Sequence, residues 1–212
     1  MKEGDEHSHS PGQKGDPTRL IALTDGVFAI IMTILVLELK VPEVKSNGEL
    51  WKAMVDLCYK LFLYAISFLL AGVYWVGHRN LFNTVKQINI SLIWINIVFL
   101  MIASLIPFAA TLLGHYADYP VALQFYGLLL FMLASYRLFM YIYVTAHHEL
   151  LFEVPHPTTK RNVILVMIAA PLLFGVSVIC APDFPRIAIG IFAFTPPMFV
   201  TLITLVNHQH KK

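Results

Sequence analysis

The chain has 212 residues, 58% of them hydrophobic and only 13% charged, a composition outside the usual range of water-soluble domains. Its formal charge of +2 is small and spread along connecting segments, which excludes the concentrated basic surface of a nucleic-acid-binding protein. Cys58 and Cys180 lie inside apolar stretches instead of a spaced framework, so they are expected to pack as small hydrophobes and not to form a disulfide scaffold.

Residues 1–17 are polar, rich in Pro and Gly, and lack the apolar core of a signal peptide, so a disordered tail ahead of a retained first membrane segment is expected. Six apolar stretches long enough to cross a bilayer follow, at about Thr18–Leu39, Leu50–Gly77, Ile88–Leu113, Pro120–Ala146, Lys160–Ala181 and Arg186–Val206. Together they make residues 18–206 the membrane domain, with 207–212 as a short polar tail. The stretches are apolar all round, without the period-two alternation of barrel strands, and the expected class is an all-α integral membrane protein.

At the start of the second stretch Lys52, Asp56 and Lys60 recur every four residues, so its first turns are expected to project from the bilayer. Pro107, Pro171 and Pro196-Pro197 are expected to bend the third, fifth and sixth helices. An even number of spans puts both termini on one side. That side carries Lys2, Lys14, Arg19, Arg79, Lys86, Lys160, Arg161, Lys211 and Lys212, against Lys40, Lys45, Lys52 and Arg186 opposite, which predicts cytoplasmic termini.

Polar residues inside the spans are few and costly, so each needs a partner or a task. Asp25 lies about 10 Å into the first helix, and Asn96 is at similar depth in the third, near Trp94. The second helix returns to this level at His78 and Arg79. Arg19, Thr24, Asp25, His78, Trp94 and Asn96 are therefore candidates for one buried network. Arg19 and Asp25 do not share a helix face, so a direct pair requires Arg19 to fold back. Such a network either ties helices together or handles protons or ions, and both readings stay open at this point. Further along the first helix, Ile30, Thr33, Ile34 and Leu37 fall on one stripe beside the small residues Gly26 and Ala29, a pattern that also serves helix packing.

Other chemistry is poorly represented. The sequence contains no Thr-Val-Gly-Tyr-Gly filter, Walker loop or Gly-x-Ser-x-Gly elbow. His147, His148, Glu149 and His156 lack zinc-ligand spacing and are read as an exposed loop, as are His7, His9, His208 and His210 at the ends. Neither an enzyme nor a resident metal is expected.

The segment Arg19-x-x-x-Leu23-Thr24-Asp25, followed by the apolar run from Gly26 to Pro42, resembles the Arg-x-x-x-Phe-Ser-Asp signature of the transmembrane protein 175 family. Leu23 stands for Phe and Thr24 for Ser, so the hydroxyl is kept while an aliphatic side chain replaces the aromatic ring. Tyr74-Trp75-x-x-His78-Arg79 and Leu105-Ile-Pro107-Phe108-Ala-Ala-Thr111 extend the resemblance over about the first 115 residues. It implies a prokaryotic-type potassium channel with six helices per chain, assembled as a homotetramer in the cell membrane, with the first helix lining the pore and no cofactor beyond permeant K+. The matching pore positions are Ile30 at the main constriction, with Thr33 and Leu37 one and two turns outward. The matching network is Arg19, Leu23, Thr24, Asp25, His78, Trp94 and Asn96. In such a pore an ion sheds part of its water at Ile30, which penalises sodium more than potassium, and Glu38 near the mouth either attracts cations or pairs with Lys40. The alternative is a proton channel or proton-coupled carrier working through Asp25 and His78.

Overall fold

The computed structural model describes residues 15–37, 39–117 and 119–209, with the backbone only at 56 and 200–209. The chain forms α1 (Thr18–Leu37), α2 (Asn47–Phe82), α3 (Ile90–Ala103), α4 (Ile106–His115), α5 (Pro120–Ala146), a 3₁₀ turn at His148–Leu150, α6 (Pro157–Cys180) and α7 (Pro185–Gln209). Among the described residues five stretches are long and apolar enough to cross a membrane: α1, α2, α3 with α4, α5 and α6. The expectations for residues 1–14, Glu38 and the Asp56 side chain lie outside the described residues, as do those for His208 and His210.

Helix starts follow local capping chemistry. The Asp16 carboxylate accepts from the Thr18 hydroxyl at 2.6 Å and from its backbone N–H at 2.9 Å, ahead of α1. Those bonds, the hydroxyl first, hold its carboxyl below the usual carboxylate range. Ser46 caps α2 through the Glu49 N–H, Asn89 caps α3 through the Leu92 N–H, and proline opens α5 and α6.

The second and third predicted spans depart most from the observed helices. The second runs from Asn47 to Phe82, longer than Leu50–Gly77, because His78 and Arg79 continue the helix and do not end it. The third, Ile88–Leu113, is interrupted: α3 stops at Ala103 and α4 begins at Ile106, with Pro107 in its first turn. Pro107 has no N–H for the Ala103 carbonyl and its ring crowds that carbonyl, so the helix breaks one turn earlier. By contrast, α6 runs on through Pro171 and α7 through Pro196 and Pro197.

α5 packs against α3, α4, α6 and α7, and so forms the interior of the subunit. Tyr126 is almost fully buried there and meets the Ser67 hydroxyl of α2 at 2.9 Å, while its ring stands edge-on to Phe192 of α7 at 5.0 Å. Gly127 lets α6 approach: a Cβ at this position would lie 2.8 Å from the Ser177 hydroxyl and 2.9 Å from Val178. Gly127→Ala is therefore expected to cost about 1–3 kcal/mol through overpacking, read as a lower midpoint in thermal unfolding in detergent.

At the end of the bundle where α1 begins, three connections are clasped together. Gly15 and Ile88 exchange two backbone hydrogen bonds, of 3.0 and 2.9 Å, joining the segment before α1 to the α2–α3 loop. That loop continues to the α5–α6 loop through Lys86 N–H to Leu150 O at 2.7 Å and Phe152 N–H to Thr84 O at 3.0 Å. The start of α1 is thus fixed to two other connections of the bundle.

Candidate functional site

α1 has two distinct faces. Leu20, Thr24, Phe28, Ile31 and Leu35, spaced three or four apart, are buried against α2, α3 and α4. The opposite face carries Ile30, 58% exposed, with Thr33, Ile34 and Leu37, the last 70% exposed. The Thr33 hydroxyl donates to the Ala29 and Ile30 carbonyls at 2.9 and 3.0 Å, so its free lone pairs point outward from a helix whose backbone it satisfies. Glycine and alanine at positions 26 and 29 are exposed on the same side.

On the buried side, three of the sequence-derived residues form one chain of donors. His78 Nε2 lies 2.8 Å from Asn96 Oδ1, Asn96 Nδ2 donates to Thr24 Oγ1 at 3.1 Å, and Thr24 Oγ1 donates to the Leu20 carbonyl at 3.0 Å. An amide oxygen only accepts, so His78 carries its proton on Nε2 in this arrangement. The imidazole is sandwiched between Phe82 at 4.2 Å and Phe99 at 5.8 Å, both nearly parallel to it. One side chain each from α1, α2 and α3 is thereby joined, and all three are buried.

Asp25 is placed differently from the network expected for it. Its Oδ1 accepts from the Trp75 indole N–H at 2.7 Å, and the Arg79 guanidinium lies 5.8 Å from the centre of the same indole ring. Asp25 is exposed on the subunit surface. It is joined to α2 through Trp75, one helical turn before His78, and not through His78 itself. Trp94 does not enter the network within the subunit: it is 60% exposed on α3. Leu23 is 48% exposed and Arg19 exposed, both on the outside of α1.

Sequence reasoning missed two residues. Trp75 belongs to the Tyr74–Arg79 motif, yet an indole N–H one turn from His78 is also the kind of donor a membrane carboxylate needs. Arg137 lies in the span Pro120–Ala146, whose hydrophobicity is its dominant signal. It sits partly buried in α5 beside Tyr74 and Gly77, and an ionisable residue within a membrane helix is the sign that points to it.

The histidine-containing loop behaves as a connection. The His147 Nδ1–H donates to the Tyr143 carbonyl at 2.9 Å and its ring packs 4.2 Å from the Tyr143 ring. Among the described residues no three His, Cys, Asp or Glu side chains converge on a metal-sized site. Cys180 is partly buried and Cys58 is exposed on the surface of the single subunit.

Residues 19–107, which contain α1, α2, α3 and the start of α4, match the family model of the endosomal/lysosomal potassium channel TMEM175. The chain is 35% identical over 178 residues to a potassium channel of Chryseobacterium sp. strain P1-3, covering 82% of this chain and 87% of that one. It is 31% identical over 175 residues to a potassium channel of Streptomyces collinus, covering 77% and 84%. The crystal structure of a lysosomal potassium-selective channel TMEM175 homolog from Chamaesiphon minutus superposes with a TM-score of 0.76 at 25% identity, over 87% of this chain and 96% of that chain. With several membrane-length apolar helices and this agreement in sequence and fold, the chain is a multi-pass membrane protein and belongs to the TMEM175 family.

Proposed function

We propose that the protein is a potassium-selective channel of the cell membrane, formed by four copies around a common axis with α1 of each copy lining the pore. One observation carries this reading: α1 buries one face in its own subunit and leaves the opposite face, Ile30, Thr33 and Leu37, uncovered. Four copies would place one such face each on a shared axis, where an ion path can form between them. The names of the bacterial relatives supply the ion. In this arrangement α7 makes the sixth crossing, and the lysine and arginine bias puts both termini in the cytoplasm.

The flanks of α1 fit such a ring. On one side α3 presents exposed Ile90, Trp94, Ile97 and Met101 at helical spacing. On the other, Met32, Phe68, Gly72, Trp75 and Pro196 border an apolar groove of about 950 Å³. A heterologous contact that sets the ridge of one copy into the groove of the next closes a ring with α1 inside.

At the Ile30 ring, no carbonyls replace the water an ion loses, so passage is governed by how tightly each ion holds its hydration shell. Potassium holds it less tightly than sodium, and a difference of about 1.4 kcal/mol gives tenfold selectivity. No catalytic group and no cofactor beyond the permeant ion enter this reading. The proton alternative is less well supported by the geometry, because Asp25 bonds Trp75 and an amide, Asn96, lies between His78 and Thr24. Purified protein in liposomes, assayed separately for potassium, sodium and proton flux, is expected to pass potassium fastest. Proton flux without potassium flux would overturn the proposal.

A further inference from the structure

Arg137 is a charged residue in the interior of α5, nine positions before the helix ends at Ala146, or about 13 Å along its axis. Its side chain lies against α2, with Tyr74 and Gly77 beside it. What it touches is the backbone of α2 at Gly77. A Cβ there would overlap Nη2 and Cζ of Arg137 and lie 2.7 Å from Nε, so the flat face of the guanidinium fills the space that a side chain at 77 would take. The three atoms nearest to that Cβ all belong to Arg137.

The position of Gly77 matters because of the residues on either side of it. Trp75, two residues earlier, donates to Asp25 of α1, and His78, the next residue, bonds Asn96 and through it Thr24 of α1. Both links from α2 toward the polar groups of α1 thus arise within two positions of Gly77. Trp75 and Gly77 are about 200° apart around the helix, so Asp25 and Arg137 meet α2 on nearly opposite faces at one level.

We propose that Arg137 is a positioning residue for the pore helix: its guanidinium, seated on Gly77, sets where α2 stands relative to α5 and so where Trp75 and His78 hold α1. The side chain meets no ion in this role, which rests on the reading of α1 as the pore-lining element. Shape is the essential property, since the planar group fits a slot that only glycine leaves open. Charge alone does not supply that fit.

Four variants test it, in reconstituted full-length protein with assembly checked by size-exclusion chromatography. Gly77→Ala and Arg137→Ala are each expected to lower the potassium-to-sodium permeability ratio about threefold or more, as coupling through packed helices allows. The double variant is expected to be no worse than either single one, because the alanine Cβ at 77 then enters the space vacated by Arg137. Arg137→Met keeps a long side chain in the slot without the planar end, guards against loss of folding, and is expected to show the same permeability change. Wild-type permeability in a tetrameric Arg137→Met protein, or additive losses in the double variant, would overturn the proposal. In either case wild-type potassium flux would leave the channel reading standing, whereas absence of potassium flux in the parent protein would remove the channel reading itself.

Discussion

Ile30→Asn is expected to lower the potassium-to-sodium permeability ratio by about tenfold or to abolish selectivity, and to raise unitary conductance. Ile30 is 58% exposed on the uncovered face of α1, and in the proposed tetramer four such side chains would make the constriction apolar. An asparagine at each position offers carbonyl and amide groups in place of methyls, so a sodium ion exchanges lost water for protein oxygen at much lower cost. The discrimination that rested on dehydration, worth about 1.4 kcal/mol per factor of ten, then disappears. Reversal potentials under bi-ionic conditions measure the ratio directly. An unchanged ratio in an assembled mutant removes Ile30 from the selectivity step and shifts attention to Thr33 and Leu37.

Asn96→Ala is expected to be the most damaging polar substitution, lowering stability by about 2 kcal/mol. Asn96 is fully buried and bonds His78 on α2 and Thr24 on α1 at once, so its loss leaves two buried polar groups and a small void. Stranded buried groups cost about 1–3 kcal/mol each in water-soluble proteins, but interhelical bonds in membranes average only about 0.6 kcal/mol, and the intermediate figure reflects both. Asp25→Ala is expected to cost less, because Asp25 is exposed and its bond to Trp75 leaves an indole able to find another acceptor. Unfolding midpoints of the two variants in detergent give the comparison. A larger loss for Asp25→Ala would show that Asp25, and not the His78–Asn96–Thr24 chain, carries the interhelical strength.

Much of this site was legible in the chain as written. Counting residues from the helix ends placed Asp25, Asn96 and His78 at one depth; in the fold His78 and Asn96 are hydrogen-bonded, and Asn96 reaches Thr24, the neighbour of Asp25. Depth counting does not give rotation, however. Trp94 lies at the expected level yet points to the outside of α3, and Asp25 turns past His78 to Trp75. The break between α3 and α4 was also half visible, since Pro107 marks it, but whether a proline bends a helix or ends it depends on what surrounds the freed carbonyl. At Pro171, Pro196 and Pro197 the helix runs on.

By itself the sequence determined the class and the scale of this protein. The hydrocarbon core admits backbone only when its hydrogen bonds are closed internally, so long apolar runs must be helices of bilayer length, and the costly polar residues must be sparing and purposeful. The signature around Arg19 and Asp25 pointed to the family by the same economy. Only the tertiary structure decided which polar groups meet, because helix rotation and close approach depend on side chains far apart in sequence: Gly127 under Ser177, and Gly77 under Arg137. It also showed that Thr24 faces inward while Ile30 and Leu37 face out, a division made by packing against α2, α3 and α4, which the one-dimensional pattern of an almost wholly apolar helix does not encode.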